Sequence, residues 1–195
     1  MGRLPIITNE QILQAAREVF LEQGYTASTL DIAQRAGISE GSIFKRFVTK
    51  EKLFFAAMGI PERPEWLEEL EHLSGKGDLK ENLITISLQI VEFFREVVPR
   101  LVMSCSQGTH HQKMQSFKES PLVMYLKALI NFFVQELQLG RIRSCDPEIP
   151  ARMLFGSLMN YVFFEQMGFQ TAIPIAAPTY VCGLIDILWQ GIALP

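Results

Sequence analysis

The sequence predicts an all-α fold. Its 195 residues are 48% hydrophobic and 20% charged, a balance typical of a folded globular chain and unlike a disordered one. Apolar residues recur at spacings of three and four along most of the chain, and helix-start and helix-stop residues separate these stretches. Alternating apolar and polar runs bounded by hairpin turns, which would predict strands, are nearly absent.

The first helix is predicted over residues 9–23. Thr8 and Gln11 form a capping box at its start, and Gly24 ends it. Between them an apolar stripe lies on one helix face, as expected for a helix that covers a core. The stripe consists of Ile12, Leu13, Ala16, Val19 and Phe20.

Two short helices joined by a glycine-containing turn follow. A cap at Ser28 or Thr29 begins the second helix, which ends at Gly37, and Ser39 caps the third. In the third helix Ile43 and Phe47 are four residues apart and so lie on one inward face. This arrangement predicts a helix-turn-helix with the first helix packed across it.

The later helices are longer and more apolar. A fourth helix, capped by Thr49, is predicted from residue 50 to about 58, and the Gly- and Pro-containing stretch 59–64 marks a domain boundary, giving domains 1–58 and 59–195. Pro99 is expected to end a buried central helix, because proline lacks the N–H that a helix interior needs. The remaining predicted helices cover 65–72, 79–98, 100–105, 121–139, 148–167 and 178–192.

Cysteine usage and hydropathy bear on location. Cys105, Cys145 and Cys182 are widely spaced and odd in number, which fits a reducing, cytoplasmic setting better than a disulfide framework. The stretch from 166 to 185 has no charge and is twenty residues long, but Pro174 and Pro178 divide it, so no membrane span is expected. The N-terminus has no apolar segment of signal-peptide length.

Positive charge is concentrated near the N-terminus. The whole chain has a net charge of −3, yet residues 1–55 carry a net charge of +1. A local basic patch matters more to phosphate groups than the total charge does. The patch consists of Lys45, Arg46, Lys50 and Lys52.

The string from Asp31 to Ser39, followed by Glu40-Gly41-Ser42-Ile43-Phe44-Lys45-Arg46-Phe47-Val48-Thr49-Lys50-Glu51-Lys52-Leu53-Phe54, is the most specific pattern in the chain. It resembles the N-terminal DNA-binding domain of the tetracycline-repressor (TetR) family of transcriptional regulators. The resemblance covers residues 8–58, about a quarter of the chain. It implies a three-helix helix-turn-helix domain that binds DNA, followed by a larger helical ligand-binding and dimerisation domain.

The chemistry of the third helix also fits DNA. The major groove accepts one α-helix, and the N-terminal half of a recognition helix faces the base edges. Gly41 permits close backbone approach, Ser42 can donate or accept, and Lys45 lies one turn on. The helix N-termini capped at Thr29 and Ser39 offer N–H groups to phosphate oxygens.

The resemblance implies that a set of residues from the helix-turn-helix contacts DNA, and the basic cluster adds Arg46. Phe44 stands where the family commonly has Tyr, so a hydroxyl contact to phosphate is lost, and packing against the first helix is the alternative role. The stretch from residue 24 to 32 is also one residue shorter than usual in the family. The predicted contacts are Ser28, Thr29, Ser39, Gly41, Ser42, Phe44, Lys45, Arg46 and Lys50.

A small, mostly apolar effector is the second partner that the resemblance implies, and no cofactor is expected. Soft and aromatic side chains on the helices that surround the ligand in this family suit such a pocket, although an aromatic and methionine stripe at helical spacing is more often plain core. The candidates are Phe93, Phe94, Met103, Met124, Tyr125 and Phe132.

The last two helices are apolar over more than one face, which predicts a homodimer contact. The candidate interface residues are Phe155, Leu158, Met159, Val162, Phe163, Leu184, Ile187 and Leu188. A dimer of this kind would bind a roughly palindromic operator and is expected to be a repressor that the effector releases.

Metal binding and catalysis are not indicated. Adjacent His110 and His111 project apart, and Cys105 is five residues away with no companion at the spacing of a metal ligand.

No phosphate loop, nucleophile elbow or HExxH motif is present. Glu165 and Asp186 are interpreted as hydrogen-bond partners at the dimer contact or pocket rim. The alternative is a helical ligand-binding or enzymatic protein whose helix-turn-helix no longer reads DNA.

Overall fold

The structure is a computed structural model that describes residues 7–106 and 120–194, with the side chains of 103–106 outside the description. Within those residues the chain is helical and has no strand, as predicted. The helices are α1 (Asn9–Gln23), α2 (Thr29–Ala36), α3 (Glu40–Phe47), α4 (Lys50–Ala57), α5 (Glu65–Leu73), α6 (Leu79–Ser106), α7 (Pro121–Gln138), α8 (Glu148–Gln166) and α9 (Ala177–Ile192).

Residue contacts divide the chain into two compact units. Among the described residues, the first unit holds 7–61, 100–106 and 120–121, and the second holds 62–99 and 122–194. The functional boundary predicted between residues 58 and 59 stays a prediction.

The first unit is built on α1. This helix packs against both α2 and α4, and its buried Phe20 lies 5.1 Å, centroid to centroid, from the ring of Phe54. The capping box of Thr8 and Gln11 is present, and Gly24 follows the last turn. α1 therefore begins and ends where the sequence predicts.

The second unit has an aromatic centre. Trp66 of α5, Phe93 of α6 and Tyr125 of α7 form a cluster whose ring centroids are 5.5–6.2 Å apart. Phe94 packs edge-on against Phe155 of α8 at 5.2 Å. These contacts join α5, α6, α7 and α8 around one core.

The prediction that Pro99 ends a helix is wrong. α6 runs through Pro99 to Ser106 as one helix of 28 residues, so no separate helix begins at residue 100. Proline removes one helix hydrogen bond, but Val97 and Val98 are buried and hold this turn in place. Arg100 directly follows Pro99, and its guanidinium donates to the carbonyl oxygens of Met58 and Gly59 at 3.2 and 3.3 Å.

The uncharged stretch before α9 contains a short 3₁₀ segment at Phe169–Thr171, where the sequence predicts only a loop. Gly168, with φ of 78°, begins this segment. None of the helices in the described part of the chain is long and apolar enough to cross a membrane.

Candidate nucleic-acid interface

The turn between α2 and α3 has the geometry of a helix-turn-helix. Gly37 adopts the left-handed conformation, with φ of 68°, and the N–H of Ile38 donates to the carbonyl of Ala33 at 3.0 Å. A residue with a side chain would be strained at this φ, which explains the glycine. The chain then turns directly into the Ser39 cap of α3.

Serine side chains cap both helices of the motif. The Ser28 hydroxyl accepts from the N–H of Leu30 at 3.1 Å, which settles the cap of α2 in favour of Ser28 over Thr29. At α3 the Ser39 hydroxyl accepts from the N–H of Ser42 at 3.3 Å and lies 2.8 Å from the Ser42 hydroxyl. Both serines are therefore used first to fix the helix starts.

Thr29 has an internal role. Its side chain is buried, and its hydroxyl donates a hydrogen bond to the Glu40 carboxylate. The pair joins the first turn of α2 to the first turn of α3. The Thr29 hydroxyl therefore already donates its hydrogen bond inside the motif. What still fits the predicted phosphate contact is that Thr29 is the first residue of α2, near the helix N-terminus.

One face of α3 points away from the first unit. Ile43 is fully buried on the inward face, whereas Gly41, Phe44 and Lys45 are exposed. Val48, the residue that ends α3, is 68% exposed and has a φ of 47°. These four exposed positions follow the helical spacing of three, one and three residues, so they form one continuous outward face. We call residues 41, 44, 45 and 48 the α3 face.

The exposure of Phe44, 37%, argues against its alternative role as a core residue. A Cβ atom added at Gly41 would meet no other atom within 4 Å, so the backbone there is open to close approach. Lys45 is exposed beside them. Of the predicted base-reading positions, Gly41, Phe44 and Lys45 are therefore brought together on the α3 face, whereas Ser42 is half-buried and lies outside it.

Two further cations border this face. The Arg46 guanidinium donates to the carbonyl oxygen of Ile7 at 2.9 Å and so holds the segment before α1. Lys50 lies in the first turn of α4, and its ammonium group is 5.0 Å from the centre of the Tyr25 ring. Burial raises the pKa of Tyr25, with a smaller contribution from Glu51.

The predicted effector residues are partly in one cluster. Phe93 and Tyr125 contact each other and Trp66, a residue that sequence reasoning missed although it begins the apolar stripe of α5. Burial, and secondarily the charge of Glu62, raise the pKa of Tyr125. Phe94 and Phe132 are buried, Met124 is 43% exposed, and the Met103 side chain lies outside the described residues.

The described residues of the second unit line a larger and a smaller cavity. The larger, about 420 Å³, is mostly apolar, and none of the predicted effector residues lines it. Five of its lining residues come from the uncharged stretch 166–185, whose composition was a signal for an apolar site as well as for a membrane span. A smaller cavity of about 250 Å³ includes Phe132. The larger cavity is lined by Asn160, Tyr161, Phe164, Phe169, Gln170, Ile173, Ile175 and Tyr180.

The predicted dimer residues separate into two groups. Phe155, Leu158, Val162 and Leu188 lie in the core of the single chain and are covered without any partner. Phe163 and Ile187 are exposed, by 36% and 71%, and Met159 and Leu184 are half-buried. Further exposed apolar side chains extend this surface: Met153 and Phe164 on α8, and Met167 at its C-cap.

Glu165 and Asp186 both have partners within the chain. The Arg95 guanidinium donates to the two carboxylate oxygens of Glu165 at 2.9 and 2.7 Å, and the Lys80 ammonium lies 2.7 Å from Asp186. The hydrogen bonds from Arg95 lower the pKa of Glu165. The interpretation of these acids as hydrogen-bond partners therefore fits, with partners on α6 of the same chain.

No cluster of three or more potential metal ligands occurs within residues 7–102 and 120–194. His110, His111 and the side chain of Cys105 lie outside the described residues. The expectation that they hold no metal stays a prediction.

Comparison with known proteins agrees with this geometry. Residues 12–57, from α1 to the end of α4, match the sequence model described as bacterial regulatory proteins, tetR family. Residues 12–57 are therefore a TetR-family DNA-binding domain. The resemblance drawn from the motif is thereby confirmed, and with it a helix-turn-helix domain followed by a helical domain. A TetR-family chain is a DNA-binding transcriptional regulator.

Relatives are similar over nearly the whole chain. The fatty acid metabolism regulator protein of Bacillus subtilis is 29% identical, over 93% of this chain and 94% of its own. The crystal structure of the transcriptional regulator FadR from Bacillus subtilis in complex with stearoyl-CoA has a TM-score of 0.61 at 24% identity, over 94% of this chain and 99% of that one.

A second similar structure is native NalD, the secondary repressor of the MexAB-OprM multidrug efflux pump in Pseudomonas aeruginosa. Its TM-score is 0.61 at 21% identity, over 94% of this chain and 96% of that one. At these identities the structural matches establish the shared TetR fold.

Proposed function

We propose that this TetR-family regulator is a repressor that binds a palindromic operator as a homodimer and is released by a small, mostly apolar effector. The α3 face carries the proposal, because it presents Gly41, Phe44 and Lys45 outward from a rigidly capped recognition helix. Residues 1–58 would read DNA, and 59–195 would bind the effector and dimerise. Such a regulator works in the cytoplasm, where bacterial DNA lies, and has no catalytic role.

The exposed apolar surface of α8 and α9 supports the homodimer. Phe163 of α8, Met167 at the C-cap of α8 and Ile187 of α9 are exposed at positions where a lone subunit would leave large apolar groups in water. Covering them with the same surface of a second copy would make a two-fold contact. A two-fold dimer presents two recognition helices to two half-sites, which is why the operator would be palindromic.

The aromatic cluster of the second unit supports an apolar effector. Trp66, Phe93 and Tyr125 pack against one another in an aromatic cluster, beside which an apolar ligand would bind. The indole N–H of Trp66 is buried and has no hydrogen-bond partner among the described residues. A buried donor without an acceptor is unfavourable, and a carbonyl or carboxylate oxygen of the effector would satisfy it.

The relatives suggest which effectors to try first. FadR from Bacillus subtilis is a relative solved with stearoyl-CoA, so long-chain acyl thioesters are the first class to test. A ligand that prefers the conformation unable to bind DNA shifts the population of dimers away from the operator.

The test is a titration of a protein–operator complex, followed by fluorescence anisotropy of the labelled duplex. We expect stearoyl-CoA to release the duplex at lower concentration than butyryl-CoA does, because the longer chain buries more apolar surface. Trp66→Phe, which replaces the indole by a smaller aromatic ring without an N–H, should raise the stearoyl-CoA concentration needed. Release that is independent of chain length and of Trp66 would contradict this effector class and this anchor.

A further inference from the structure

The α3 face contains few groups that can form hydrogen bonds. Around it, the Ser42 hydroxyl lies 2.8 Å from that of Ser39, the Glu40 carboxylate accepts from Thr29, and the Arg46 guanidinium donates to the Ile7 carbonyl. On the face itself, Lys45 is the one side chain that carries a hydrogen-bonding group, since the other members are Gly41, Phe44 and Val48. Base reading by this helix therefore has a large apolar component.

Phe44 is the apolar group best placed to reach a base. It lies in the middle of α3, next to Lys45 in sequence and one turn after Gly41, where the backbone is open. With 37% of its surface exposed, its ring projects from the helix while Ile43 beside it is fully buried. Because Gly41 adds no side chain, the helix can approach the base edges closely enough for the ring to make contact.

Thymine is the base that offers an apolar partner in the major groove. Its 5-methyl group projects there, whereas the other bases present hydrogen-bond donors and acceptors, and guanine offers N7 and O6 to a lysine. Phe44 has no hydroxyl with which to bind a phosphate, so apolar contact is the interaction its side chain can supply.

We propose that Phe44 is a specificity-determining residue that contacts the 5-methyl group of a thymine in each operator half-site, beside a guanine bound by Lys45. This proposal rests on the proposed function, because it requires α3 to enter the major groove. It adds the identity of the bases that are read. Each half-site should thus contain one thymine whose methyl group, and not only its base pair, contributes to affinity.

The experiment replaces thymine by deoxyuridine, which pairs identically but lacks the methyl group. The probe is the duplex recovered by selection from a random pool, with each thymine replaced in turn at both symmetry-related positions. We expect one pair of replacements to weaken binding of the unaltered protein about 15-fold at fixed salt. The factor follows from about four-fold for each buried methyl group, in two half-sites.

Variants assign the effect to the side chain. Phe44→Ala should bind the thymine and deoxyuridine duplexes with equal affinity, whereas Phe44→Tyr, which keeps the ring, should retain most of the discrimination. Leu30→Ala is the matched control, because Leu30 is 51% exposed but lies on α2, and it should discriminate as the unaltered protein does. Thermal unfolding of each variant checks that it is folded.

Three results would overturn the proposal. The unaltered protein could bind every deoxyuridine duplex as tightly as the thymine duplex, Phe44→Ala could keep the discrimination, or the selected half-sites could lack a fixed thymine. In each case an operator is still recovered, so the proposed function survives. If selection enriches no duplex, operator binding itself fails, and the assignment of Phe44 fails with it.

Discussion

The hydroxyl of Thr29 donates a hydrogen bond to the carboxylate of Glu40 and so joins the first turns of the two helices that form the helix-turn-helix. Thr29 is buried, and Glu40 is half-buried. The contact fixes where α3 begins relative to α2, and therefore how the α3 face is presented.

Thr29→Val should destabilise the protein by about 1–2 kcal/mol, because it keeps the shape but leaves the Glu40 carboxylate without this donor. Urea denaturation of the full chain, followed by circular dichroism, measures the loss. Thr29→Ser keeps the hydroxyl and should cost less. Equal stability of the Val variant and the unaltered protein would show that the hydrogen bond contributes nothing.

Lys45 and Lys50 should differ in what their removal does to DNA binding. Lys45→Ala is expected to weaken operator binding by about 1–3 kcal/mol with little effect on random duplex, because Lys45 lies on the α3 face. Lys50→Ala should weaken binding to both duplexes, as expected for a phosphate contact. A plot of the logarithm of the binding constant against the logarithm of salt concentration should become less steep by about one. Titrations at several salt concentrations decide this, and equal losses on both duplexes for Lys45→Ala would remove its base-reading role.

Ile187→Glu should convert the proposed dimer into a monomer. Ile187 is 71% exposed in the single chain, and a charge there would be buried without a partner in a two-fold contact. Leu139→Glu is the control, because Leu139 is 60% exposed at the end of α7. Sedimentation equilibrium measures the mass, and a dimeric Ile187→Glu protein would place the interface elsewhere.

The ion pair of Arg95 and Glu165 should make stability depend on acidic pH. Arg95 lowers the pKa of Glu165 in the folded chain, so the pair stabilises the protein fully above the ordinary pKa of glutamate, and this is lost as pH falls through the lowered pKa. Glu165→Gln should cost about 1–2 kcal/mol at neutral pH after allowance for solvent screening, and progressively less as pH falls through the lowered pKa.

The control for that pair is Glu92→Gln. Glu92 also bonds to Arg95, but its side chain is 69% exposed, and a smaller loss is expected. Urea denaturation across pH 3–8 provides the comparison. A loss for Glu165→Gln that does not change with pH would contradict the linkage to this carboxylate.

Pro99→Ala should stabilise the protein by about 1–3 kcal/mol, because it restores a helix hydrogen bond in the interior of α6 and removes the clash with the preceding turn. Thermal unfolding of the two proteins side by side measures the change. A destabilised Ala variant would mean that the packing of Val97 and Val98 depends on the proline.

Local signals in the sequence predicted the start of the chain well. Capping residues such as Ser39 and the αL residue Gly37 act on their own helix ends, so α1 to α4 could be placed within a residue or so. Pro99 failed as a stop signal because burial of Val97 and Val98, which is a tertiary effect, keeps the helix intact.

The candidate sites were harder to predict where both faces of a helix are apolar. On α8, Phe155 and Phe163 have the same side chain, but one is buried in the core and the other is exposed. Periodicity could not tell them apart, since an apolar residue satisfies the pattern on either face. Likewise, the partner of Thr29 lies eleven residues away on another helix, so spacing could not reveal it.

The measurement that tests the account most directly is selection of bound sequences from a random duplex pool at fixed, near-physiological salt, using the full chain. We expect a single enriched palindrome whose half-site centres lie one helical turn of DNA, or a multiple of one turn, apart. We also expect each duplex to bind two chains or a multiple of two. Absence of enrichment from folded, dimeric protein, or enrichment of a single half-site bound by one chain, would contradict it.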